Sequence, residues 1–374
     1  MVYPVRSSCA EIDLAAFRWN FQQIENLVKP ARIIAVVKAD AYGHGVEEVA
    51  REAERLGAAY LCVAFVQEGF HLRESGITCP ILVLIPPVQD EIACAIDNGL
   101  ELVVHSYEQA REIDSAARKL KKKPDIQANI DTGMHRTGIH WEHAVKELIK
   151  INKLKNLSLN GLFTHFATSD WSDLNFAKEQ LERFQSIVNA LPFSVPFLHT
   201  ANSGAIMQIP ESYYSYVRPG ISLYGYYPSL QCKRTLPLKP VLKLKSYVAH
   251  VKEYEANERF SYSLTYRTER RTGIATVPAG YADGVNRLLS NNGSVLIRDR
   301  KFPVVGIVTM DAILVDVGLE SGVKDGDEVV LLGTQKYNEI SMNEWCERLK
   351  TIPYEVTCNI SKRIPRVVIN KEQR

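Results

Sequence analysis

"IIAVVKADAYGHG", residues 33–45, sets five apolar residues in a row, then Lys38, then a glycine-rich turn containing Tyr42. The run reads as a buried strand. A lysine at the end of such a run can reach water along its alkyl stem, and that alone needs no functional reason. The rest of the chain has to decide whether Lys38 does more.

Seven further apolar or β-branched runs follow: Tyr60–Phe65, Ile81–Ile85, Leu100–His105, Ile126–Asp131, Leu159–Phe166, Phe197–Asn202 and Tyr216–Tyr224. Between most of them lie amphipathic stretches such as "VEEVAREAERLG", "SYEQAREIDSAARKL" and "NFAKEQLERFQSIVNAL". The last places Phe176, Leu181, Phe184, Ile187, Val188 and Leu191 near helical spacing. Strand alternating with helix implies a parallel sheet with crossover helices, and eight such strands imply a closed (β/α)8 barrel of the TIM type. No G-x-G-x-x-G follows the first strand, which weighs against an open dinucleotide-binding sheet.

From about residue 230 the pattern changes. "RTGIATVP", "GSVLIRD", "FPVVGIV", "AILVDV" and "DEVVLLG" read as strands separated by Asn-Gly, Asp-Gly and other glycine turns, with one helical stretch, "MNEWCERLK". The fold class is therefore α/β, an N-terminal barrel over residues 1–230 followed by a mostly β domain over 231–374. The segment Cys9–Asn26 carries a further strand-like and helix-like stretch that pattern alone assigns to neither part.

Composition excludes several roles. The chain has 374 residues and a formal net charge of +2, so nothing points to nucleic acid or an anionic membrane. Seven cysteines without CxxC pairing fit a reducing compartment. With no signal-like apolar core near the start and no run long enough to span a bilayer, the expected location is the cytoplasm.

In a (β/α)8 barrel, chemistry gathers where strands end. Here those ends carry Lys38 and Tyr42, Asp131 with Arg136 in "TGMHRTG", His165 in "FTHFAT", and His199, Asn202 and Ser203 in "HTANSG". Arg218, Gly220 and Ile221 follow in "VRPGIS". Singly, each has a bland reading: His165 as a core histidine, Arg136 as a loop anchor, Asn202-Ser203 as a helix cap. Together they converge on one mouth. Ser203 at a helix start and the Gly220-Ile221 backbone can present N–H groups to an anion. A phosphate clamp beside a strand-end lysine points to a phosphorylated aldehyde held as a Schiff base, which is pyridoxal 5'-phosphate.

"AVVKADAYGHG", "DTGMHRTG", "THFATSD", "HTANSGA", "VRPGISLYG", "SYSLTY", "GYADGVNR", "VGIVTMD" and "YEVTCNISKRIPR" together resemble the alanine racemase family, in order from about Glu11 to Arg366. The resemblance implies a pyridoxal-phosphate-dependent isomerase that interconverts L- and D-alanine, the latter for peptidoglycan. Lys38 would carry the cofactor. Tyr42, Ser203, Gly220, Ile221 and Tyr354 would hold its phosphate, with Asn202 beside them. Arg218 would face the pyridine nitrogen, and Arg136 would contact the ring oxygen and the substrate carboxylate. His165 would join Arg218 to a second base, Tyr262. Met310 and Asp311 would line the substrate site.

Two bases on opposite faces fit racemisation, in which a proton leaves one face of Cα and returns to the other. Lys38 would serve the D face and Tyr262 the L face. The resemblance also implies a homodimer in which Tyr262, Met310 and Asp311 reach the partner's barrel mouth. Two positions depart from the family pattern. Asn129 stands where many members carry a carbamylated lysine, so an anion such as chloride, or nothing, is expected there. Ser263 follows Tyr262 where glycine is usual. Two other functions fit the same residues, a serine or broad-specificity racemase and a non-catalytic pyridoxal-phosphate-binding protein. The β domain with Tyr262 speaks against the second, because storage needs no second base.

Overall fold

The computed structural model describes residues 7–371. They form two compact units, one of Phe17–Lys239 and one that joins the residues up to Ala16 to those from Pro240 onward.

In the first unit eight strands run parallel: Arg32–Val36, Tyr60–Val63, Ile81–Val83, Leu100–Val104, Asp125–Asp131, Ser158–Phe163, Phe197–His199 and Tyr216–Val217. Each of the first six pairs with the next in sequence, with registers such as Ile34 to Tyr60, Leu61 to Ile81 and Leu102 to Ile126. The eighth pairs back onto the first through Tyr216 and Arg32. A parallel bridge between Asn202 and Arg218 links the seventh to the eighth and closes the ring. All eight expected strands are present in the expected order.

The strands hold because both faces are covered. Ile33 to Val37 are buried on one side by the barrel interior and on the other by helices. Val46–Arg55 turns Val49, Ala50 and Ala53 inward while Arg51 pairs outward with Glu48 at 3.3 Å. Tyr107–Leu120 starts at Ser106, whose hydroxyl accepts from Gln109 N at 3.1 Å, and buries Ala110, Ile113 and Ala117. Asn175–Ala190 buries Ala177, Leu181, Phe184 and Ile187.

Most of the strands end earlier than their apolar runs, and at two of them the early end shapes the site. The first stops at Val36, and Lys38 opens a turn beyond it. The eighth stops at Val217, because the chain then curls, with Leu223 N donating to Gly220 O at 2.9 Å.

The second unit is built on a ten-stranded sheet. Residues 1–230 were expected in the barrel part, yet Cys9–Asp13 belongs by its pairing to this sheet. It runs antiparallel to Leu242–Tyr247 and parallel to Arg366–Ile369, so both of its edges are satisfied by late segments of the chain. The strands expected after residue 270 form at Thr272–Val277, Ser294–Ile297, Arg300–Val305, Ile313–Asp316 and Glu328–Gln335, and the helix at Met342–Leu349.

At the N-terminal end of the barrel strands, Tyr60, Phe197 and Tyr216 pack edge to face, with centroids 5.2–6.4 Å apart. Beside them Glu101 is held mostly out of water. Burial, reinforced by Asp125, pushes its carboxyl up from 4.5 to about 7 against the opposing hydrogen bonds of Gln127, Tyr60 and Asn160. A carboxyl raised on folding favours the folded state at low pH, and that advantage is lost as pH climbs from 4.5 through 7. Glu101→Gln removes this dependence, so the stability difference between variant and wild type should widen in the variant's favour across that window. Thermal unfolding at a series of pH values measures it.

Candidate active site

Lys38 lies just beyond the first strand in an uncommon piece of backbone. Ala39, Asp40, Ala41 and Tyr42 take φ of 54°, 54°, 53° and 54°, a left-handed turn of four consecutive non-glycine residues. Each such residue costs about 1–2 kcal/mol relative to the right-handed form, so its surroundings must hold the turn in place. Glu68 accepts from Ala39 N at 2.7 Å with one oxygen, and from Ala64 N at 2.7 Å and Phe65 N at 3.1 Å with the other. Asp40 accepts from Val46 N at 2.8 Å. His44 donates through Nδ1 toward the carbonyls of Ala41 and Tyr42, both at 3.0 Å. The turn lifts Lys38 off the strand axis and buries Tyr42.

Tyr42 is then held against the loop after the eighth strand. A Cβ at residue 220 would stand 2.5 Å from its Oη, so only glycine leaves room there for the phenol. Gly220 N donates to Ser203 Oγ at 3.0 Å, and Ser203 Oγ lies 3.0 Å from Ser222 Oγ. Asn202 caps the short helix Ser203–Gln208, its Oδ1 accepting from Ala205 N at 3.0 Å and from Ser169 Oγ at 2.7 Å. Ile221 is buried behind this group. Hydroxyls and backbone amides crowd a glycine-floored cradle of a kind suited to a phosphate.

Arg218 is 4% exposed. Its Nη1 donates to His199 Nδ1 at 2.6 Å and to His199 O at 2.8 Å, and its Nη2 to Thr164 O at 2.7 Å and Thr200 O at 3.1 Å. With both Nη groups committed, Nε–H is the remaining donor. Loss of hydration, with Arg136 adding to it, brings the guanidinium down to about 10, still charged at neutral pH. His165 faces Arg218, Arg136 and Lys38, and these three cations add to desolvation in holding its imidazole well below its ordinary value, hence neutral. The imidazole bonded to Arg218 is that of His199, where the resemblance implied His165 in that place.

Arg136 sits exposed on the loop after the fifth strand. Asp131 shapes the loop, accepting from Gly133 N at 3.0 Å and His135 N at 2.9 Å. Burial works against its charged form, but these bonds and His135 prevail and lower its pKa. Asn129 donates to Thr137 O at 2.9 Å, directly bracing the far side of the loop. Its amide hydrogens thus have protein acceptors at the position where an anion or nothing was expected.

The remaining expected residues lie in the second unit. Tyr262 is 70% exposed on a turn where Ser261, Ser263 and Leu264 all have positive φ. Ser263, at 58°, takes the conformation that glycine adopts most easily, which accounts for the usual residue there. Met310 is exposed, and Asp311 pairs with Arg363 at 2.7 Å. The Met310 strand end is tied to the Tyr281 turn (Tyr281 N to Thr309 O, 2.9 Å), and Ser261 Oγ donates to Ile307 O at 2.7 Å. Tyr354 lies on the helix Pro353–Cys358.

The first unit is thus a closed barrel whose mouth gathers a lysine, two arginines, a neutral histidine and an anion cradle, the equipment of a barrel enzyme that works on an anionic cofactor. Residues 12–228 match the family model "Alanine racemase, N-terminal domain" and residues 241–368 "Alanine racemase, C-terminal domain". The chain belongs to the alanine racemase family. It is 44% identical over 368 residues to the alanine racemase of Clostridium perfringens, covering 97% of this chain and 95% of that one. A solved alanine racemase from Clostridium difficile 630 superposes with a TM-score of 0.93 at 40% identity, covering 98% and 97%. One from Bartonella henselae, described with covalently bound pyridoxal phosphate, gives 0.89 at 28% identity, covering 97% and 99%.

Glu68 escaped the sequence reading because a helix-face glutamate shows no local sign of what it supports. It is expected to matter. Glu68→Ala leaves three backbone N–H groups without their acceptor and should lower unfolding free energy by about 2–3 kcal/mol, with Glu68→Gln milder. Denaturant titration checks both.

Proposed function

We propose that the protein interconverts L-alanine and D-alanine with pyridoxal phosphate held at the barrel mouth, acting in the cytoplasm and making D-alanine available for peptidoglycan. The observation that carries the reading is the placement of Lys38 and Arg218 in one mouth, beside the cradle of Tyr42, Ser203 and Gly220. The cradle fits the group. Its hydroxyls and amides suit a phosphate, Lys38 suits an aldehyde, and the uncommitted Nε–H of Arg218 suits a ring nitrogen that accepts.

Pyridoxal phosphate, when bound, supplies the electron sink that acidifies the substrate's Cα–H. Lys38 Nζ would hold it, and Asn202, Ile221 and Tyr354 would complete the phosphate site. The charge on Arg218 disfavours a proton on the ring nitrogen beside it, which limits side reactions that need a long-lived carbanion. Arg136 would bind the substrate carboxylate.

Lys38 Nζ would then take or return the proton on one face of Cα and Tyr262 Oη on the other. Met310 and Asp311 would close the pocket around a methyl-sized side chain. Tyr262, Met310 and the neighbouring Leu264, Tyr281 and Leu288 are large side chains left exposed on the second unit. Their exposure supports a homodimer in which these residues serve the partner's barrel.

Purified, cofactor-loaded protein given L-alanine should bring D-alanine to equality with L, read by chiral chromatography, and should convert L-serine far more slowly. Comparable serine turnover would mean a broader racemase, and no D-product from either would leave a binding protein. Lys38→Ala and Tyr262→Phe should each cut turnover by at least about 10³-fold. Mixing the two inactive variants tests the shared site. Subunit exchange should restore about a quarter of wild-type activity at equal ratio, whereas sites built within one chain would restore none.

A further inference from the structure

A chain of hydrogen bonds crosses the barrel interior from its mouth to its base. Arg218 Nη1 lies 2.6 Å from His199 Nδ1, His199 Nε2 lies 2.5 Å from Gln127 Oε1, and Gln127 Nε2 donates to Glu101 Oε1 at 2.8 Å. The interior is shaped to admit it. A Cβ at Gly161 would fall 2.6 Å from Gln127 Cγ and Cδ, so this glycine in the sixth strand makes room for the amide. His199 stacks on Phe163, centroids 4.8 Å apart and planes within 10°.

The direction of every bond follows from its two ends. Arginine can only donate, so His199 Nδ1 must be a lone pair and the proton must sit on Nε2. That N–H requires an oxygen of Gln127, which turns the amide nitrogen toward Glu101. A carboxylate can only accept, so the bonds agree along the whole path. Desolvation and Arg218 hold His199 well below its ordinary value, so it stays neutral and has just two tautomers to choose between.

We propose that Glu101 is a positioning residue for Arg218, its carboxylate at the barrel base setting the orientation of Gln127 and thereby the tautomer of His199 that receives the guanidinium. A protonated or amide side chain at 101 can donate. Gln127 can then turn over and present its NH₂ to His199 Nε2, and the imidazole proton moves to Nδ1, where it opposes the Arg218 N–H. Arg218 loses that bond and is steered only by the three carbonyls. The carboxyl can exchange its proton with water because it borders a cavity of about 540 Å³ at the base, where Arg73, Lys122 and Lys123 also line the wall. Tyr60, Asp125 and Asn160 face it from the neighbouring strands.

The consequence for turnover rests on the proposed contact of Arg218 with the cofactor; the tautomer does not. The test is nitrogen-15 NMR of histidine-labelled holoenzyme, with the His199 signal assigned by its loss in His199→Gln. Wild type at pH 8.5 (a chosen value, about 1.5 units above the carboxyl's midpoint) should show only the Nε2–H form. Glu101→Gln, and separately Gln127→Leu, should show a second, Nδ1–H population, and kcat should fall by about 10-fold with KM little changed. In wild type the same second population should grow as pH falls below 7 and be pH-independent in Glu101→Gln. A single unchanged Nε2–H signal in both variants overturns the proposal. A shifted tautomer with unchanged kcat upholds Glu101's positioning role and removes Arg218 from the chemistry instead.

Discussion

A guanidinium taken almost entirely out of water must find an acceptor for its hydrogens, or the core around it fails. Arg218 meets that requirement with main-chain carbonyls, and this fixes much else. Thr164 O comes from the end of the sixth strand, His199 O and Thr200 O from the end of the seventh, and Arg218 itself follows the eighth. Three adjacent strand ends are thereby bound to one cation, with its Cζ 5.1 Å from the centre of the Phe163 ring. The charge is placed by backbone, which a side-chain rearrangement cannot easily undo.

Strain sits beside it. The left-handed turn from Ala39 to Tyr42 is unfavourable in isolation and persists because Glu68 and His44 bind its amides and carbonyls and Asp40 within it ties down Val46 N. Its effect is geometric. A strand continued through Lys38 would have pointed alternate side chains in and out, whereas the turn leaves the lysine half-buried and buries the tyrosine that follows. The glycine at 220 completes the arrangement by leaving space for that phenol.

Much of this was legible in the residues. The eight runs gave the barrel because strands covered on both faces must be apolar throughout, and the strand-end rule then picked out Lys38, Arg136, His165, Ser203 and Arg218. Resemblance, not periodicity, added Tyr262, Met310, Asp311 and Tyr354, which stand on loops and a short helix that carry no repeating pattern. The long-range partners stayed hidden. Gln127 is one of several polar residues in its strand, and nothing near it in sequence names His199 or Glu101 as its neighbours. The place of Cys9–Asp13 was hidden for the same reason, since its partners lie more than 220 residues away.

That strand also bears on how the molecule is made. Every residue of the barrel unit, Phe17–Lys239, has been synthesised before Leu242–Tyr247, the antiparallel neighbour of Cys9–Asp13, emerges, so the ring can close while translation continues. Cys9–Asp13 has no such early partner. One of its edges finds Leu242–Tyr247 only after the whole barrel has emerged, and the other stays open until Arg366–Ile369 arrives, almost the last described part of the chain. An exposed strand edge is a template for the wrong neighbour, and two ribosomes on one message would bring such edges close together. The first described strand of the chain is thus fully paired only by the last one.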